Sequence, residues 1–123
     1  MNHDTPPATP WVLEACATVY LYRPDDLAHM TQGGEAQLPR KSFTRYARWW
    51  LPLPARGDTV GIGDDPEYLT VSGLQWWPAE NAGVIELEAV RLDDPERFEQ
   101  YRAAFDVDGW LTEQQWRERQ PTT

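Results

Sequence analysis

GVIELEAVRLDDPERFEQYRAAF, residues 83–105, changes its period halfway. Residues 83–92 read as the last strand. From Asp93 the spacing is helical. An acidic cap and Pro95 near the first helical position open the segment, and Phe98, Tyr101 and Phe105 follow at i, i+3 and i+7. A second helix is expected over LTEQQWRER, residues 111–119. There Thr112 and Gln115 have the spacing of a capping box, and Leu111 and Trp116 that of a hydrophobic staple.

Upstream, the period is two. YLTVSGLQWW (68–77) reads as a strand whose inward set begins as Leu69 and Val71 and then switches to Leu74 and Trp76. Gly73 stands at the switch, where a bulge would shift the phase. PAENAG (78–83) is a hairpin loop, TVGIG (59–63) a short strand, and ARGD (55–58) and DDPE (64–67) are turns. SFTRYARWWL (42–51) is a strand that ends at Pro52 and Pro54, because proline cannot donate to a ladder. WVLEACATVYLYR (11–23) alternates Leu13, Ala15, Ala17, Val19 and Leu21 on one face with Glu14, Cys16, Thr18, Tyr20 and Tyr22 on the other. PDDLAHM (24–30) is expected to form one helical turn, and TQGGEAQLP (31–39) a loop.

Strands followed by helices make an α+β protein. The expected architecture is a small antiparallel sheet of about five strands, curled or closed into a partly open barrel, with two C-terminal helices. At 123 residues the chain fits one domain, 11–123, with strands within 11–92 and helices within 93–119. Residues 1–10, with three prolines, read as a flexible N-terminal arm.

Two features of composition stand out: seven tryptophans and a formal net charge of -9. The charge is uneven. Residues 1–57 carry five acids and six bases, and residues 58–123 carry fifteen acids and five bases. Such a field repels phosphate, which argues against nucleic acid and anionic membrane as partners and for a basic protein. A single cysteine excludes an internal disulfide. With no signal-like start and no apolar run of membrane-spanning length, the expected location is the cytoplasm.

RYARWWLPLP (45–54) and GLQWWPAE (73–80) each hold adjacent tryptophans. Neighbours on a strand point to opposite faces, so one Trp of each pair leaves the core face. If the helix covers that side, the outward Trp lies under Phe98, Tyr101 and Phe105; otherwise it reaches solvent. The candidate aromatic surface is Tyr20, Tyr22, Tyr46, Trp50, Trp76 and Trp77, a type of patch that marks interfaces or ligand grooves. The candidate acidic surface is Asp93, Asp94, Glu96 and Glu99. The one basic cluster, RKSFTRYAR (40–48), is expected to pair with acids such as those of IELE (85–88) across the sheet.

DVDGWLTEQQ (106–115) resembles a shortened EF-hand calcium loop, with Asp106, Asp108, Gly109, Leu111 and Thr112 in matching roles. It is two residues short and has Gln115 where a bidentate Glu belongs. Asp106 and Asp108 are thus weak metal candidates, and the expected role is an Asx-Gly turn between helices. GIGDD (61–65) has no following helix and no cofactor pattern. Cys16 and His29 have no supporting spacing for a catalytic dyad, so no cofactor and no catalytic residue is assigned. The preferred reading is an acidic, Trp-rich interaction module, in one form an inhibitor or immunity-type protein acting on a basic partner. The alternative is a small-molecule-binding barrel or modest enzyme with a pocket near Tyr20, Tyr22, Trp50 and Trp76. Self-association through the exposed tryptophans is a third.

Overall fold

The structure, a computed structural model, describes residues 12–49, 54–80 and 82–119. The expected N-terminal arm and Trp50 lie outside these. The chain runs β1 (Val12–Leu21), α1 (Pro24–Thr31), β2 (Lys41–Trp49), β3 (Thr59–Ile62) and β4 (Glu67–Trp77). A 3-10 turn (Pro78–Glu80) leads to β5 (Ala82–Leu87), β6 (Val90–Leu92), α2 (Pro95–Val107) and α3 (Glu113–Glu118). The α+β class and the open, curled sheet of the sequence reading are both present. PDDLAHMT makes an eight-residue helix rather than one turn, with Pro24 at its start.

The strands are ordered β2-β1-β5-β4-β3, with β6 beside the far end of β1. β1 is antiparallel to β2 but parallel to β5 and β6, so the sheet is mixed. β5 and β6 are one strand interrupted by a bulge. Cys16 pairs with Glu86 and Val19 with Val90, so three steps on β1 match four on its neighbour. A second bulge lies in β4, where the register shifts between Val71 and Gly73. The two irregularities are adjacent: Ser72 donates its hydroxyl to Glu86 O, and Glu88 N–H donates to Thr70 O. Each bulge increases local twist. Side by side, they curl the β3–β4 part of the sheet towards α2.

The core lies between the concave face and α2. Leu13, Ala15, Ala17, Val19 and Leu21 are all buried, as the alternation requires. The two alanines leave space for aromatic rings. Phe98 and Phe105 of α2 are fully buried and meet Phe43 of β2 edge-on, at 5.1 and 5.9 Å between centroids. Trp110 extends the cluster, 5.0 Å from Phe105. Such pairs contribute about 0.5–1.5 kcal/mol each beyond their burial.

Local signals set the helix ends. Asp94 caps α2 by accepting from Glu96 N–H at 3.0 Å. Thr112 and Gln115 form the reciprocal capping box of α3. Between the helices Gly109 adopts φ 76°, the left-handed conformation that glycine tolerates without strain. Leu111 then exchanges two backbone hydrogen bonds with Tyr46, 2.8 and 2.7 Å, and covers part of the β2 edge.

The basic cluster pairs with α2, not with IELE. Lys41 lies 3.6 Å from Glu99 and Arg45 3.6 Å from Asp106, while Arg45 and Arg102 both lie over the Phe43 ring. The reason is side: Phe43 and Arg45 share the face that α2 covers, whereas Glu86 is on the opposite face.

Candidate functional site

One backbone row crosses the end of the sheet: Trp49 pairs with Leu13, Leu13 with Gly83, and Gly83 with Trp76. The β4 bulge places Leu74 and Trp76 on the core face, as the switch at Gly73 implied. Trp77, opposite Ala82, is on the other face. Trp76 and Trp77 are 39% and 42% exposed. The aromatic contacts of α2 with the sheet are at the other end, where Phe98 and Phe105 meet Phe43 opposite Val19. Gly83 lets the Trp76 ring fold down: a methyl group there would stand 2.9 Å from Trp76 Cε3 and 3.1 Å from Leu13 Cδ2.

The remaining aromatic candidates do not join this end. Tyr22 is only 5% exposed and so leaves the proposed surface; just past β1, its N–H donates to Leu92 O at 2.7 Å. Tyr20 is half-buried beside it, 6.1 Å between ring centroids. Tyr46 is stacked under Trp116 of α3, 5.7 Å between centroids at 16°. Tyr20 and the Trp76 row are seven residues apart along β1, roughly 23 Å at strand spacing. Tyr20, Tyr22 and Trp76 therefore do not line one pocket in this open sheet.

The outer face carries Cys16, Thr18 and Tyr20 in a shallow hollow of about 240 Å³ with Val84 and Glu86. Burial pushes the Cys16 thiol above its ordinary value of 9.0, with a smaller upward push from Glu113 and an opposing hydrogen bond from the Tyr46 hydroxyl. Burial also raises Tyr46, and Cys16 and Glu113 add to the shift. A raised pKa keeps the thiol protonated at neutral pH, the reverse of what a nucleophile needs. His29 is on exposed α1, its imidazole packed against Gly34, so the structure makes no Cys16–His29 dyad.

The acidic candidates begin α2. Asp93 and Glu96 are exposed, Asp94 is the cap, and Glu99 faces Lys41 and Arg102. Negative charge is favourable at that end of a helix, so Asp94 at the cap and Glu96 in the first turn stabilise α2. Asp106 and Asp108 are also engaged, by Arg45 and by the Gly63 N–H, which donates to Asp108 Oδ2 at 2.9 Å. Among the described residues no group of three or more His, Cys, Asp or Glu side chains could hold a metal ion.

Sequence reading missed a groove along α2. The turn DDPE faces that helix across an open hollow of about 610 Å³, lined on the helix side from Arg97 to Val107. No local pattern signals it, because the turn and the helix are brought together only by the fold. No helix among the described residues is long and apolar enough to cross a membrane. The chain matches no protein-family model, no curated protein and no solved structure.

Proposed function

We propose that this chain is a protein-interaction module of the cytoplasm that engages a basic partner, using an exposed tryptophan pair as its apolar anchor. The carrying observation is the exposure of Trp76 and Trp77 on the two faces of one hairpin end, while Trp110 is buried and Trp116 is stacked on Tyr46. Adjacent tryptophans on a rigid hairpin offer large contact area at low entropic cost, the chemistry of interface hot spots. The net charge of -9 supports a partner of opposite sign. In one form the protein is an inhibitor or immunity-type protein that occupies a surface its partner would otherwise offer to nucleic acid.

The test is a nuclease-treated pull-down at low and high salt with the wild type and the Trp76→Ala/Trp77→Ala double variant. The expected result is a stoichiometric basic protein that is released as salt rises and is absent from the variant lane. Equal capture by the variant, or capture insensitive to salt, would overturn the reading. Native mass spectrometry of the isolated chain separates self-association: a dimer that the double variant abolishes would assign the tryptophans to a second copy.

A further inference from the structure

We propose that the groove between the β3–β4 turn and the side of α2 from Arg97 to Val107 docks a basic segment of the partner protein, with an apolar side chain seated between flanking lysines or arginines. This rests on the reading above and locates the charged half of that contact, away from the tryptophan end.

The groove is held open by the fold. Gly63 has φ 87° and packs directly on α2, where an added methyl would stand 2.8 Å from Ala104 Cβ. Its N–H is bonded to Asp108, so the turn and the helix end are tied together. Tyr101 and Ala104 line the hollow from the helix, and both are buried. Tyr68 and Val107 line it as well, and they are 62% and 60% exposed. Two large apolar side chains thus stand in solvent beside a pre-formed hollow.

The groove carries a net negative charge. Asp106 and Asp108, at the end of α2, lie outside it and are engaged by Arg45 and by the Gly63 N–H. Asp64 and Asp65 of the facing turn line the hollow, are exposed, and make no ion pair among the described residues. Among the described residues Arg97 is the one cation lining the groove; it is bonded to Glu67 at 2.9 Å and lies over the Tyr101 ring. With Glu67 held by Arg97, the charge left over in the groove is that of Asp64 and Asp65, and it favours a cation supplied from outside.

These features select the occupant. Nucleic acid and anionic lipid have the wrong sign. The exposed Tyr68 and Val107 favour a protein segment with an apolar residue over a simple polyamine.

The experiment is a ¹H–¹⁵N titration of the full chain with two synthetic probes: a five-residue peptide with Leu at its centre and Lys elsewhere, and penta-lysine. Shifts are expected at the amides of Gly63, Asp65, Tyr68, Ala104 and Val107, with the Leu-containing probe binding more tightly. Asp64→Asn/Asp65→Asn should weaken both probes by about five- to tenfold at low salt, the scale of two exposed charge contacts. Val107→Ser should weaken only the Leu-containing probe, and Glu96→Gln neither. Shifts centred on Asp93–Glu99, or a double variant that binds as the wild type does, would overturn the proposal. The two readings fail separately. A native partner retained equally by Asp64→Asn/Asp65→Asn would remove the groove and leave the interaction module. Absence of any partner would remove the module and leave the probe result standing.

Discussion

The core face of the sheet has two ends, and aromatic side chains fare differently at each. At one end Phe43, Phe98, Phe105 and Trp110 form a buried edge-to-face cluster. At the other, Trp76 shares the same face and the same sheet but is 39% exposed. The residue types and the strand pattern are alike. Among the described residues the difference is α2, whose Phe98 and Phe105 pack on Phe43 at the first end. Burial of an aromatic here follows from the presence of a covering element, not from its position on the inward side of a strand.

The sharpest way to break this comparison is Phe105→Ala. Removing a fully buried ring from the covered end should cost about 3–5 kcal/mol, read from denaturant unfolding. If the loss were no larger than that of a surface substitution, within ±0.5 kcal/mol, the claim that α2 organises the core would fail.

Gly83→Ala probes the Trp76 end. The new methyl would stand 2.9 Å from Gln75 O as well as from Trp76 Cε3. The carbonyl belongs to the neighbouring strand and cannot swing aside, so about 1–3 kcal/mol should be lost, the usual scale of overpacking. Trp76 should move further into solvent, seen as stronger iodide quenching. Unchanged stability and quenching would mean that the ring is not folded over Gly83.

The smallest effect is the pH response of the outer face. Because the folded-state pKa of Cys16 is raised above 9.0, the unfolded chain loses its proton first. The stability due to the protonated thiol is fully present below that value and is lost as pH rises through the folded pKa. Tyr46, raised above 10.0, acts in the same direction at higher pH. Melting temperature should therefore fall from about pH 9 upwards, and less steeply in Cys16→Ala. A Cys16→Ala slope equal to the wild type between pH 9 and 10 would remove the thiol from this account.

Much of the fold was legible locally. β1 alternation, the phase switch at Gly73, the Asp94 cap and the Thr112/Gln115 capping box are all decided within a few residues. The candidate site was legible only in part. Trp76 and Trp77 were identified and are exposed, but Tyr22 is buried and Tyr46 is covered by Trp116. Alternation distinguishes the two sides of a strand; it does not say what lies above either side.

The sequence by itself determined the α+β order, the strand faces, the helix ends and the acidic C-terminal half, because period, capping and charge act over short range. Only the tertiary structure decided the parallel pairing of β1 with β5, the placement of α2, and the meeting of Asp64 and Asp65 with the side of that helix. Those depend on loop paths and on two bulges that curl the sheet. Contacts between residues some forty positions apart are set by packing geometry, for which no local pattern in the chain stands as a signature.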